Sequence, residues 1–259
     1  MPRLAANLSS LFREVPLLDR MAAAADVGFK GVTFQFPYAE EAHLISDKAA
    51  MAGVKVTCFT APPGHYAAGE RGLAALPGRK DDFREAFEVA MNYADELECP
   101  AIHVMAGIIG EDQHDDAMDA YLANLAWAAD FAKDEGVRVL IQPIANDKYF
   151  LRQPDDAIAV LEAIDHKNLR LLYDVVDAHL AQSDVTEFLE TYLPVIGHIQ
   201  IAGLPGRTEP AKNNDIKCQN VFDLLDAHGY PGWVSADYTP RAGTNAGLGW
   251  ARDWGITPR

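Results

Sequence analysis

The chain has 259 residues, 49% of them apolar, and a formal net charge of -16 at pH 7. That length suits one α/β barrel or two small domains, with apolar content enough for a sizeable core. Nucleic-acid binders need a basic footprint to displace counterions, and an acidic chain without a Lys/Arg stripe excludes that class.

Short β-like runs alternate with amphipathic stretches. A run at 4–8 precedes a helical pattern at 16–25. Runs at 31–36, 54–59, 101–105, 137–142, 169–174, 196–201 and 233–236 follow, separated by helical patterns at 40–52, 81–97, 116–133, 154–164, 185–192 and 221–227. Gly28, Gly53, Gly136 and Gly229 stand just after helical patterns. There glycine takes the left-handed capping conformation at little cost. Strands spaced by helices imply crossover connections and a parallel sheet. Eight such strands predict a single (β/α)8 TIM barrel, one domain over 1–259. An open doubly wound sheet would carry a glycine-rich turn after its first strand. Ser9-Ser10-Leu11-Phe12 has no glycine and favours the barrel.

The three cysteines lie far apart without CxxC spacing, which reads as reduced thiols in a cytoplasmic protein. The first residues show no charged region followed by an apolar one, so no signal peptide is expected. No apolar run reaches ~18 residues, so no membrane partner is expected. A homo-oligomer is compatible with this composition. The segment 60–79 is long and rich in Gly, Pro and Ala, and predicts a packed lid on the side of the strand ends. A second long loop covers 203–217.

Four runs in the second half end in metal-facing residue types: Gln142, Asp174, Gln200 and Asp237. Parallel barrel strands bring their C-terminal ends to one mouth, where active sites are built. Two carboxylates and two carboxamides make an oxygen-only set, which suits Mg2+ or Mn2+ better than zinc. The blander reading is ordinary polar residues at a barrel mouth. His198 stands two residues before Gln200 and shares its face, one layer deeper. On the lid, Glu70 and Arg71 can close over an acidic substrate or form a surface ion pair. Arg207 and Glu209 carry the same two readings. Asn7 can donate to a substrate oxygen or stabilise its own turn. Tyr38 reads as an aromatic wall and His103 as a satisfied core histidine. Phe83, Phe87, Trp127 and Phe131 fall at helical spacing and read as core.

Several strings then carry a family resemblance: Ala5-Ala-Asn-Leu-Ser9, Phe34-x-Phe-Pro-Tyr38, Ala67-Ala-Gly-Glu-Arg-Gly-Leu73, Leu76-Pro-Gly-Arg79, His103-Val-Met-Ala-Gly107, His198-Ile-Gln-Ile-Ala-Gly-Leu-Pro205 and Gly229-Tyr-x-Gly-Trp233. In this order they resemble the hydroxypyruvate isomerase family, in particular its 2-oxo-tetronate isomerase branch. The resemblance implies a xylose-isomerase-like TIM barrel acting on small hydroxy-keto acids. It implies a divalent metal held at Gln142, Asp174, Gln200 and Asp237. It also implies an acid/base pair at Gln142 and Asp237 that moves a proton between neighbouring carbons through a cis-enediolate.

The chain departs from the family pattern at the centre of that site. Gln142 and Asp237 stand where the family has glutamates. Asp177 replaces a histidine, Thr239 a lysine, and Thr33 and Asp215 a glutamate each. A glutamine cannot take a proton, so a two-carboxylate shuttle is not available. Two readings follow. One is a metal-assisted isomerase with reduced or altered activity, in which Asp237 is the lone base. The other is a family member without turnover that binds a small hydroxy acid or a partner.

Overall fold

Eight strands close in chain order into a parallel barrel, with β1 hydrogen-bonded to β8. The structure, a computed structural model, describes residues 2–210 and 216–258. The strands are β1 Arg3–Asn7, β2 Gly31–Phe34, β3 Lys55–Thr60, β4 Ala101–His103, β5 Arg138–Ile141, β6 Leu169–Asp174, β7 Ile196–Ile201 and β8 Trp233–Ala236. Helices α1 Leu17–Asp26, α2 Ala42–Ala52, α3 Lys80–Glu96, α4 His114–Ala132 and α5 Pro154–Ile164 fill the first five connections. Two helices, α6 Val175–Leu180 and α7 Val185–Tyr192, lie between β6 and β7. Helix α8 Cys218–Ala227 precedes β8, and a short α9 Thr244–Gly247 follows it. Every expected strand and helix is present. The four expected capping glycines all take positive φ: Gly28 at 110°, Gly53 at 68°, Gly136 at 70° and Gly229 at 62°.

Helix α6 was not expected: no helical pattern was read between the run ending at Asp174 and the pattern at 185–192. The side chain of Asp174 decides otherwise. It accepts the backbone N–H groups of Val176 and Asp177 at 2.9 and 2.8 Å, and so turns the chain straight from strand into helix.

Side chains alternate across each strand, so one set points into the barrel. Cys58, Ala101, Leu140 and Leu172, from four consecutive strands, form a small apolar cluster separate from the main core. Two residues further along these strands come Thr60, His103, Gln142 and Asp174. The period of two thus stacks a small apolar layer beneath a polar one, as layered barrel interiors do. The larger core lies between barrel and helices. Phe83 and Phe87 are buried there, as expected. Phe131 is not core: it is 45% exposed and stacks on Trp127, with ring centroids 5.0 Å apart. Helical spacing placed it on the aromatic stripe, where its ring also meets Phe87 of α3 edge-on at 6.3 Å while its outer side stays exposed.

All three cysteines are buried and free. Among the described residues no helix is long and apolar enough to cross a membrane.

Candidate active site

The register of the last strands sets the height of the candidate residues. Asp174 pairs with Gln200 across β6 and β7, and Gln200 pairs with Ser235 across β7 and β8. Gln142 and Asp237 follow β5 and β8 by one residue. All four line one cavity of about 290 Å³ at the mouth, together with Asn7, Ser10, His103 and Arg207. The volume suits a ligand of a few carbons.

Arg207 dominates the electrostatics. Its Nη1 donates to Asp174 Oδ2 at 2.9 Å, and its Nη2 to Asp174 Oδ1 at 3.2 Å. Nη2 also lies 2.7 Å from Asp177 Oδ2. Burial works against the guanidinium charge, but Asp174 and Asp177 overcome it and hold its pKa above the ordinary value. Burial first, and Asp174 second, raise the pKa of Asp177. Asp177 Oδ1 accepts the backbone N–H of Ala145 at 3.2 Å. Gln142 Nε2 donates to Asp177 Oδ2 at 3.3 Å.

Asp237 stands apart from this ion pair. Its Oδ1 accepts from Ser10 Oγ at 3.1 Å, and its backbone N–H donates to Ile201. Part of its surface opens onto the cavity. Burial, then Asp174, raise its pKa to about 6. A carboxyl poised near neutrality at the edge of a cavity is suited to general base work.

A neutral floor lies below. His103 Nδ1 is 3.2 Å from Thr60 Oγ1, and His198 Nε2 is 3.0 Å from Ser235 Oγ. Burial lowers the pKa of His103 to about 3, helped by His198, and lowers that of His198 to about 4. His103 is only half of what was expected. Its Nε2 is buried without a partner among the described residues, and the ring lines the cavity. A neutral imidazole there can meet a ligand oxygen. The sequence signal was the period-two position below the mouth, which a single strand does not reveal. Thr33 Oγ1 is likewise buried and unpartnered among the described residues.

The remaining expected residues divide. Asn7 lines the cavity and stabilises its turn at once: its Oδ1 accepts the N–H of Ser9 at 2.9 Å, which leaves the amide Nδ2 for a ligand. Glu70 and Arg71 are on the lid but away from the cavity lining. Glu70 pairs with Arg79 at 2.7 Å, and this pairing lowers its pKa. Arg71 lies 3.8 Å over the Tyr66 ring and donates to the carbonyls of Tyr66 and Glu70. Glu209 pairs with Arg241 at 3.1 Å. Tyr38 donates to Thr60 O at 2.8 Å and so braces the start of the lid. The lid is packed where residues 72–75 are buried, and it is bridged at Gly72 to Ala106. Thr239 donates its backbone N–H to Arg207 O at 2.9 Å. Asp215 lies outside the described residues.

The residues as seated do not fit a divalent ion. Both oxygens of Asp174 are committed to a guanidinium and to two backbone N–H groups. The amide nitrogen of Gln142 is turned to Asp177, and Asp237 Oδ1 is bonded to Ser10. Among the described residues no group of three or more His, Cys, Asp or Glu side chains is placed to hold a metal.

The sequence model described as xylose isomerase-like TIM barrel matches residues 21–254. A 2-oxo-tetronate isomerase of Cupriavidus necator is 44% identical over 258 residues, covering 98% of this chain and 99% of that protein. The hydroxypyruvate isomerase of Escherichia coli is 33% identical, covering 96% of this chain and 98% of that protein. Among solved structures, one described as a family 2 AP endonuclease from Brucella melitensis superposes with a TM-score of 0.95 at 35% identity, covering 98% of this chain and 99% of that one.

Proposed function

The chain belongs to the xylose isomerase-like TIM barrel family, and from that premise we propose that it is a sugar-acid isomerase of the aldose–ketose type. Its substrate is a small hydroxy-keto acid, as the names of its full-length relatives suggest. One observation carries the reading: Asp237, the carboxylate outside the Arg207 ion pair, opens onto a small polar cavity at the barrel mouth. Asp237 takes the proton from the carbon next to the carbonyl. The electron pair moves onto the carbonyl oxygen and gives an enediolate. The hydroxyl proton on the first carbon passes directly to the former carbonyl oxygen beside it, the same carboxyl returns its proton to the former carbonyl carbon, and the new carbonyl is left where the hydroxyl stood. Ser10 holds the carboxylate in place, and Asn7 and His103 offer hydrogen bonds to substrate oxygens. Gln142 supplies no second acid/base, and losing one such group lowers rates ~10²–10⁴-fold, so turnover is slow. The free buried cysteines fit a reducing compartment, and the proposal places the enzyme in the cytoplasm.

The test is solvent exchange of the substrate carbon proton in D2O, with hydroxypyruvate and 2-oxo-tetronates. The exchange is expected with the parent and lost with Asp237→Asn; persistence in that variant removes Asp237 as the base. Binding without turnover is favoured by the neutral Gln142, and substrate binding with no exchange in the parent would select it. A nuclease reading has no support in the site: it offers no metal cluster among the described residues, and the chain carries -16 charges.

A further inference from the structure

We propose that the guanidinium of Arg207 occupies the place of a divalent cation in this barrel mouth, and that the site works without metal. Three observations converge on it. First, Arg207 is fixed by its backbone rather than by its side chain alone. Gly203 and Thr208 exchange two backbone hydrogen bonds of 2.8 and 3.0 Å, closing a tight hairpin. Arg207 sits in that hairpin at φ 48°, a left-handed conformation that side-chain-bearing residues hold only when their surroundings impose it. Its carbonyl is tied to Thr239, and the next turn is tied through Glu209 and Thr208 to Arg241.

Second, the cradle around the guanidinium is complete. Asp174 meets it through both oxygens and Asp177 through one. An arginine has five N–H donors, and these contacts use three of them. Among the described residues the Nε–H and one Nη1–H have no acceptor and remain for a ligand oxygen. Fixed donors aimed at an oxygen that gains charge do the electrostatic work a metal would do.

Third, the departures around Arg207 suit one another. The neutral amide of Gln142 donates to Asp177 at 3.3 Å. A glutamate at 142 would set two carboxylates against each other, and a histidine at 177 would remove the second acceptor from the guanidinium. Gln142 and Asp177, two of the departures, thus fit the seated Arg207 and one another.

The cation replacement stands on this geometry. Only the catalytic use of Arg207 rests on the proposed isomerase reading. The full chain, dialysed against chelator, is titrated with Mn2+ while free ion is followed by electron paramagnetic resonance. No saturable binding is expected at millimolar Mn2+, and neither Mn2+ nor chelator is expected to shift the melting temperature. One equivalent bound in the micromolar range, or a clear rise in melting temperature with Mn2+, overturns the proposal. Arg207→Ala, its fold checked by near-ultraviolet circular dichroism, is expected to bind Mn2+ at least about tenfold more tightly than the parent. A folded variant that binds no better also overturns it. Proton exchange is then read in the same chelator buffer. Exchange that appears only with Mn2+ defeats the replacement and keeps the isomerase. Exchange absent throughout, with the Mn2+ results as expected, defeats the isomerase and keeps the replacement.

Discussion

Two loops overhang the mouth, and each carries an arginine and a glutamate close together. On the lid after β3, Arg71 lies on Tyr66 and Glu70 is drawn to Arg79. On the loop after β7, Glu209 is drawn to Arg241 while Arg207 turns inward onto Asp174 and Asp177. The side chains are alike, and the backbone frame makes the difference. The tip of the lid, residues 65–69, is exposed and leaves its arginine to the nearest ring and carbonyls. The hairpin at Gly203 and Thr208 forces Arg207 to a positive φ that aims it into the barrel. A charge becomes functional when the main chain leaves it one direction to point.

Below the cavity the response to acid is shared by two buried neutral imidazoles. His103 and His198 have folded pKa values of about 3 and about 4, below the ordinary 6.5. The unfolded chain therefore binds these protons first as pH falls. Their full contribution is present above pH 6.5, and it is lost as pH falls from 6.5 toward 4, with a slope of up to about 1.4 kcal/mol per pH unit for each ring. Urea midpoints at pH 7 and pH 4.5 measure the loss, and His198→Gln is expected to flatten it.

Arg207→Ala breaks the inward loop. It leaves Asp174 and Asp177 without their cation. A fully buried pair would lose about 3–5 kcal/mol on such a change, and the Arg207 side chain is 36% exposed, so about 2–3 kcal/mol is expected. Denaturant unfolding at pH 7.5 reads it. A loss no larger than a surface charge would give, below about 0.5 kcal/mol, shows that the cradle is not formed in solution.

Gln142→Glu sharpens the comparison at the same cradle. A second carboxylate would face Asp177, whose pKa burial and Asp174 already raise, so the repulsion is expected to lower stability by about 1–2 kcal/mol at pH 8 and by less as the pH falls. Equal stability at pH 8 and at lower pH would show that residue 142 does not meet Asp177. The single change is also expected to leave proton exchange unimproved, because Arg207 stays seated. Arg71→Ala, on the outward loop, removes an exposed cation–π contact, with an expected loss of about 0.5–1 kcal/mol.

How much was legible follows from what each feature depends on. The alternation of β-like and helical runs reports local burial, so all eight strands were readable before any packing was known. Helix α6 was hidden because its start depends on one carboxylate capping two N–H groups rather than on a pattern of apolar residues. Gln142, Asp174, Gln200 and Asp237 were legible as mouth residues because period-two alternation and strand ends place them there. The unpartnered Nε2 of His103 was not legible, since satisfaction of a ring nitrogen depends on neighbouring strands.

The order of strands and helices, the closed barrel, the family and the residues at the mouth were therefore determined by the sequence itself, because each follows from local periodicity or from short strings. The pairing of the charges was decided by tertiary structure alone. Arg207 is 33 residues from Asp174, and nothing in that separation announces a contact. A hairpin, a positive φ and a tether to Thr239 bring them together, and electrostatic pairing at about 3 Å exists only after the chain has folded around it.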